Sequence, residues 1–213
     1  MAAIPIAQPR ILSEGLGAVS VQKSPLPEKL AAAWNAGNLV FRSGTGASAV
    51  LERCLAAAVL VYGLAAASTK QLAAAVNGSY DPGPPTTLFA PKSVGGNLLP
   101  VHYPFDLRDR FLEINITNES ASGAAIGAGT GAAWDGTGTN GVALAPGFFG
   151  ELLLITSGTY AGYHTFNVGP TIPASATQAA THLLEVVRLA AGMGTADNNP
   201  RIIVKVIPTK IQG

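Results

Sequence analysis

Strict alternation of apolar and polar side chains marks the C-terminal half of the chain and predicts β-strands there. Residues 110–117 alternate over their whole length, and one face of the predicted strand is aliphatic: Leu112, Ile114 and Ile116. Residues 151–156 and 163–168 flank a glycine-containing turn, which is typical of a β-hairpin. Residues 201–207 follow an Asp-Asn-Asn-Pro turn and predict a final strand. The pattern therefore predicts an antiparallel sheet.

A helical period replaces this alternation in two other places. Ser175 and Gln178 form a capping box that predicts a helix over residues 176–191, closed by a glycine pair. Pro27 suits the first turn of a second, shorter helix at about residues 27–36. Strands and helices in this irregular order favour an α+β fold over repeated βαβ units.

The longest stretch without proline, residues 46–78, fits helix and buried strand alike, because alanine satisfies both patterns. We favour helix, since Ser68 and Gln71 form a capping box and Gly78 ends the pattern. A break near Gly63 would divide the segment into two helices, or into a strand followed by a helix. Whether residues 46–67 are helix or strand stays open at this point.

The uncharged run at residues 54–69 lies inside this stretch and is mostly alanine, leucine and valine. It is too short to span a bilayer, which takes about 20 apolar residues. Such a segment must be covered by other protein. Cys54, the only cysteine, is therefore expected to be a buried and inert thiol.

Four prolines in residues 1–27 exclude a regular element and predict an extended arm. Its many aliphatic side chains favour an arm that lies across a partner subunit, while a flexible tail with accidental apolar residues stays open. The predicted interface residues of the arm are Ile4, Ile6, Ile11, Leu12, Leu16, Val19 and Val21.

The remainder, residues 28–213, is predicted to be a single domain with a long Pro- and Gly-rich loop at residues 77–104. Loops of this length usually have a function, and here it could be to contact a partner. The predicted architecture is α+β: an antiparallel β-sheet with Ala-rich helices packed on it, an extended N-terminal arm and long loops.

Charge is scarce along the whole chain. Charged residues make up 12% of it and the formal net charge is +1, whereas an ordinary soluble domain has about 25% charged residues. Because the cores of protein interfaces are depleted of charge, we expect a homo-oligomer or an assembly subunit. No Lys/Arg cluster supports nucleic-acid binding. The N-terminus lacks the basic start and continuous apolar region of a secretory signal, and no membrane partner is expected.

Candidate chemistry is sparse. None of the histidines (His102, His164 and His182) has a metal-ligand spacing to another, nor does any lie near Cys54 in the sequence. The GAGTGA run lacks the preceding strand and following helix of a dinucleotide site. Alternating charges at residues 106–110 favour an ion-pair network over a general acid and base. We predict no catalytic residue, no cofactor and no metal site, and hence not an enzyme.

The segment AAWDGTGTNGVALAPG, at residues 132–147, is followed by a predicted strand and an SGTY turn. It resembles the AWDGT pattern and subsequent β-turn of the small head-decoration proteins of lambda-like tailed phages. That resemblance implies a structural virion protein on the outside of an icosahedral capsid, commonly a trimer, whose N-terminal arm adds to neighbouring capsid subunits. Trp134 and Asp135 thereby join the predicted interface residues.

The implied partners are the major capsid protein and copies of the chain itself, and the implied location is the virion, assembled in the host cytoplasm. Tail-tube, baseplate and connector proteins share this composition, so another virion component stays open. A hydrolase would instead show a concave pocket with a titratable pair. A host-glycan-binding module would expose Trp134, Tyr160 and Tyr163 together on loops.

Overall fold

The computed structural model describes a set of separate ranges along the chain. They are residues 6–12, 22–23, 26, 35–55, 58–66, 71–72, 80–81, 100–101, 104–117, 145–156, 160–172, 176–190 and 201–212. Their strands are β1 (Arg10–Ile11), β2 (Gln22–Lys23), β3 (Leu39–Ser43), β4 (Val50–Arg53), β5 (Gly63–Leu64), β6 (Gln71–Leu72), β7 (Tyr80–Asp81), β8 (Pro100–Val101), β9 (Leu112–Thr117), β10 (Phe149–Leu154), β11 (His164–Ile172), β12 (Leu184–Leu189) and β13 (Arg201–Val206). The α-helix within these ranges is α1 (Pro104–Asp109), and short 3-10 turns lie at Gly46–Ser48 and Pro208–Lys210.

Five of the longer strands form a closed barrel in the order β9-β11-β10-β12-β13, and β13 pairs back to β9. The β9–β11 pair is parallel, and the other four pairs are antiparallel. Closure satisfies the backbone donors and acceptors that an open sheet would leave at its edges. The barrel therefore presents no unpaired edge along these ladders.

Alternation along each strand fills the barrel with aliphatic side chains. Leu112 lies opposite Val204, and Ile114 lies opposite Ile202 across the pair that closes the barrel. Phe166 is fully buried, and its ring lies so close to Gly150 that a Cβ there would be 2.2 Å from the ring carbon Cζ. Glycine is therefore the residue that this point of β10 accommodates without displacing the ring.

A smaller sheet, β4-β3-β5, packs on the barrel. Leu39, Cys54 and Leu64 on one side of it belong to the same buried cluster as the barrel core. Its other side carries a second cluster, and Leu26 packs against it. The buried members of this second cluster are Val40, Leu51, Tyr62 and Ala65.

The N-terminal segment joins the barrel at β9. β1 pairs antiparallel with the beginning of β9, at Leu112 and Glu113, and β13 also pairs with these two residues. Since β13 occupies one edge of β9, β1 lies on the opposite edge, where β11 pairs with Ile116 and Thr117. β1 and β11 thus share one edge of β9 and extend its pairing along its length.

The α+β prediction with Ala-rich helices on a sheet is wrong. The described residues are mostly strands closed into a barrel, with one short helix. The predicted helix over residues 176–191 is replaced by turns and by β12 (Leu184–Leu189). A helix there would bury only one stripe, whereas β12 forms ladders with both β10 and β13 and completes the barrel.

The helix favoured for residues 46–78 is also wrong where the structure describes it, since β4, β5 and β6 lie there. Gly44 and Gly46 have positive φ angles of 75° and 55°, and the tight turn that they form returns β4 along β3. The strand predicted at residues 110–117, the hairpin predicted from residues 151–156 and 163–168, and the final strand at residues 201–207 are confirmed as β9, the β10–β11 hairpin and β13. The predicted helix at 27–36 lies outside the described residues, except for its last two positions.

Candidate interaction site

A buried polar junction connects the barrel to the smaller sheet through the ring of His164. Its Nδ1 accepts a hydrogen bond from the backbone N–H of Leu39, at 3.0 Å, and its Nε2 lies 2.8 Å from the carbonyl oxygen of Cys54. A carbonyl can only accept, so Nε2 carries the proton and Nδ1 does not. This neutral tautomer uses both ring nitrogens to pair backbone groups of the smaller sheet.

The side chains of Asn38 and Gln8 complete this polar junction. Asn38 Nδ2 donates to Gln8 Oε1 at 2.9 Å and to the carbonyl of Gly162 at 3.0 Å. Gln8 Oε1 also accepts from the backbone N–H of His164 at 3.4 Å. One network therefore fixes the N-terminal segment, the beginning of β3 and the beginning of β11 to one another.

Burial determines the chemistry of His164. The ring is fully buried, and burial lowers the pKa of His164 from 6.5 to about 3, with a smaller contribution from the charge of Arg53. The hydrogen bond to the Cys54 carbonyl acts in the opposite direction and is outweighed. A neutral ring with both nitrogens occupied and no solvent access cannot relay protons to a substrate.

The Cys54 thiol is likewise closed to solvent. Its side chain is fully buried, its Sγ lies 3.6 Å from the carbonyl of Leu60, and burial raises the pKa of the Cys54 thiol. The thiolate is the reactive form, so this environment favours an inert side chain. His164 contacts the backbone carbonyl of Cys54, which does not make the two side chains a nucleophile and base.

A buried carboxylate holds β1 on the barrel. Glu113 Oε2 accepts from Arg10 Nε at 2.7 Å, and Glu113 Oε1 accepts from Arg201 Nη1 at 2.8 Å. Burial acts to raise the pKa of Glu113, but the hydrogen bonds and charges of Arg201 and Arg10 outweigh it, so the net pKa is lowered. The ionised carboxylate thus joins β1, β9 and β13.

An apolar patch lies on the loop between β4 and β5, beside β3 and residue 212. Here the relative exposures of Leu55, Val59 and Leu60 are 59%, 45% and 38%. Within the ranges that the structure describes, these three are the large apolar side chains exposed to solvent. A cavity of about 380 Å³ opens in this surface, and its lining residues are Phe41, Arg42, Leu55, Ala58, Val59, Leu60 and Gln212. Clustered exposed apolar side chains of this kind mark interaction sites.

Arg42 is the one charged residue among the described residues that line this cavity. Its backbone is fixed, because Gln212 Oε1 accepts from the N–H of Arg42 at 2.7 Å and Gln212 Nε2 donates to the carbonyl of Arg42 at 3.1 Å. No residue in the described ranges forms an ion pair with the guanidinium of Arg42. Among the described residues that line it, the cavity is therefore apolar except for Arg42 and Gln212.

The structure places three of the predicted interface residues. Ile6 is buried beside Ile155, Ile11 packs against the barrel core, and the backbone N–H of Leu12 donates to the carbonyl of Phe111. Residues 6–12 thus contact the chain's own barrel. The other predicted interface residues lie outside the described residues: Ile4, Leu16, Val19, Val21, Trp134 and Asp135. Their part in an interface stays a prediction.

The described ranges contain no group of three or more His, Cys, Asp or Glu residues that could hold a metal ion. Over the same ranges, the structure has no helix with the length and hydrophobicity that crossing a membrane requires. At residues 106–110, Arg108 and Asp109 are exposed whereas Arg110 is buried. The charges that alternate in sequence are therefore not gathered at one solvent-filled site.

Sequence analysis did not locate the two main features of this region, the polar junction at His164 and the apolar patch. His164 and Cys54 are 110 positions apart, so their contact leaves no trace in local spacing. The apolar patch had a partial indication in the sequence, since the uncharged run at residues 54–69 requires covering. The structure shows that part of that run is left uncovered by the described part of this chain.

Comparisons of the chain with protein-family models, with curated proteins and with solved structures found no significant match.

Proposed function

We propose that this chain is a structural virion protein of a tailed phage, which decorates or cements the capsid by binding neighbouring capsid subunits. The observation that carries the proposal is the apolar patch, where Leu55, Val59 and Leu60 are exposed in a chain with only 12% charged residues. A freely diffusing monomer gains nothing from such a surface, whereas a subunit covered by neighbours buries it.

Two further features support this role. The AWDGT segment at residues 132–147 resembles that of small head-decoration proteins. The buried polar junction ties the N-terminal segment to the barrel by hydrogen bonds from Gln8 and Asn38, which suits a scaffold that holds its shape under load. The proposed partners are the major capsid protein and other copies of the chain, with a trimer as the proposed oligomer.

Particle binding tests this proposal directly. Heads that lack the chain are mixed with the purified protein, and bound copies are counted by quantitative mass spectrometry after sedimentation. We expect saturable binding at a fixed ratio to the major capsid protein and greater resistance of the heads to osmotic shock. Immunogold labelling of complete particles should mark the head surface.

A matched pair of variants tests the observation itself. Val59→Asp places a charge in the apolar patch and should lower binding to heads at least tenfold. Thr177→Asp adds the same charge at an exposed turn before β12 and should leave binding unchanged. Label on the tail, or heads that bind no protein, would overturn the capsid role in favour of a tail-tube, baseplate or connector component.

A further inference from the structure

We infer that Arg53 and Asn35 form a carboxylate-binding site at the surface beside the buried polar junction. The carboxylate contacts the guanidinium of Arg53 and the side-chain amide of Asn35 together, over the backbone of Gly162. Two sources have this chemistry, a small organic acid and an acidic side chain of a neighbouring subunit. Only the second source rests on the proposed function, and measurements with and without capsids separate the two.

Two nitrogen donors converge over Gly162. The position that a Cβ would take on this glycine is 3.2 Å from Asn35 Nδ2 and 3.4 Å from Arg53 Nη1. Apart from Gly162 and its chain neighbours, no other heavy atom of the described residues lies within 4 Å of that position. Ala36 and Ala161, which flank the site in sequence, are exposed. The two nitrogens therefore border an open space at the surface of the protein.

The guanidinium of Arg53 is placed at this site, together with its backbone. Its Nη1 is one of the two nitrogens over Gly162, and its charge acts on the nearby ring of His164. The backbone of Arg53 ends β4 and lies opposite Val40 of β3. Asn35 is held by its backbone N–H, which donates to Asn38 Oδ1 at 2.8 Å. Both side chains thus extend from fixed backbone.

Both side chains lack a partner in the described part of the chain. Neither Arg53 nor Asn35 forms a side-chain hydrogen bond or an ion pair there, and Arg53 Nε is buried without a hydrogen bond. Burial lowers the pKa of the Arg53 guanidinium, because it removes water from the charged form. A half-buried cation without an anion is costly. Arg10 and Arg201, by contrast, share the carboxylate of Glu113.

A carboxylate matches these two donors. A guanidinium has no acceptor, and Asn35 directs its NH2 group toward the same space, so the ligand must accept hydrogen bonds. The uncompensated charge of Arg53 requires an anion. A carboxylate has two oxygens, one for each donor, and a single charge for a single cation. A phosphate group carries a charge of about −1.5 to −2 and three acceptor oxygens, which exceeds what this pair satisfies.

Side-chain NMR of the purified protein tests the site without capsids. Sodium acetate replaces sodium chloride at constant ionic strength and pH 7, while the guanidinium signal of Arg53 and the amide signals of Asn35 are recorded. We expect both to shift and to saturate. Arg201 is the matched control, because Glu113 already holds its guanidinium, and its signal should not move. No saturable shift at Arg53, or an equal shift at Arg201, would overturn the site.

Asn35→Asp supplies the carboxylate from within the protein. The substitution keeps the shape of the side chain and the backbone bond to Asn38, so the new carboxylate should pair with Arg53. We expect a higher midpoint in urea denaturation and loss of the acetate response. The gain should disappear in a chain that also carries Arg53→Gln. Thr177→Asp adds the same charge at an exposed turn and should give no gain. A midpoint that Asn35→Asp leaves unchanged or lowers would overturn the convergence of the two donors.

Binding to heads identifies the source of the carboxylate. If a neighbouring subunit supplies it, Arg53→Gln should lower binding at least tenfold. Unchanged binding of that variant, together with the acetate response of the wild type, assigns the site to a small organic acid. Absence of the acetate response in a protein that binds heads would refute this inference alone. An acetate response in a protein that ignores heads would refute the capsid role alone.

Discussion

Two regions supplied by the same stretch of chain behave in opposite ways. Cys54 and Leu55 are adjacent in sequence, yet Cys54 is fully buried beside the polar junction whereas Leu55 is 59% exposed on the apolar patch. In the junction, polar groups are buried and bonded to one another. On the patch, apolar groups are exposed and uncovered.

Under the proposed function, the difference separates the requirements that the chain meets alone from those that a partner meets. A buried polar group without a hydrogen bond costs about 1–3 kcal/mol, so an incomplete junction would lower the free energy of unfolding. An exposed leucine costs the isolated chain little, and its burial contributes about 1.5–3 kcal/mol only when a partner arrives. The junction therefore contributes to folding, and under the proposed function the patch contributes to assembly.

Loss of the hydrogen bonds that the His164 ring makes at the junction should lower the free energy of unfolding the most. His164→Phe keeps a ring of similar size but leaves the Leu39 N–H and the Cys54 carbonyl without their partner, so we expect the free energy of unfolding to fall by about 3 kcal/mol or more. Urea denaturation at pH 7 measures this loss. A variant as stable as the wild type would show that the junction is not a folding element.

Lowering the pH should have the second-largest effect, because it weakens the junction and lowers the free energy of unfolding. The folded pKa of His164, about 3, lies below the ordinary 6.5, so between these values the unfolded chain binds a proton that the folded chain excludes. The stability from neutral His164 is complete above pH 6.5 and is lost as the pH falls toward 3. From pH 7 to pH 5 the loss should be about 2 kcal/mol.

Paired urea titrations at pH 7 and pH 5 check this pH dependence. The lowered pKa of Glu113 acts in the same direction but mainly below its ordinary value of 4.5, so this window largely excludes the contribution of Glu113. His164→Gln keeps one donor and one acceptor without a titrating ring, and should lose most of the difference between the two pH values. An unchanged difference in that variant would assign it to other groups.

Removing the charge of the Glu113 carboxylate, which joins β1 to the barrel, should lower the free energy of unfolding by an intermediate amount. Glu113→Gln removes the charge between Arg10 and Arg201, so we expect the free energy of unfolding to fall by about 1–2 kcal/mol. Trypsin should also cleave after Arg10 faster than in the wild type. An equal rate of cleavage in both proteins would mean that the ion pair does not hold this segment.

Changes on the apolar patch should affect stability least. Val59→Ser and Leu55→Ser remove exposed apolar surface, so the free energy of unfolding should stay within about 0.5 kcal/mol of the wild type. Self-association, measured on the same samples by sedimentation velocity, should weaken. A large loss of stability would place the patch in the fold itself and remove its contrast with the junction.

The strands of the barrel could be predicted where alternation is unbroken. The apolar face of β9 points into the barrel core, as the alternation predicts: Leu112, Ile114 and Ile116. β12 could not be predicted in this way, because the pairing register with β13 shifts between Val186 and Arg188. That irregularity breaks the period of two, and alanine and leucine in the surrounding residues imitate a helical stripe.

The candidate site was predictable in kind but not in position. Scarce charge and the uncharged run at residues 54–69 predicted a surface that needs covering. Which residues stay exposed depends on how β4 and β5 flank β3 and where Gln212 returns beside Arg42. The contact between Arg42 and Gln212 joins positions 170 apart, and no local pattern encodes it.

The closure of β9 onto β13 also sets the order of events during synthesis. Residues 112–115 find their partners in residues 201–204, so the apolar face of β9 emerges from the ribosome long before the strand that covers its edge. Pairings so distant in sequence fold slowly and leave intermediates prone to aggregation. A nascent chain halted before β13 is therefore a client for chaperones and proteases, and the barrel closes only once that last strand has been made.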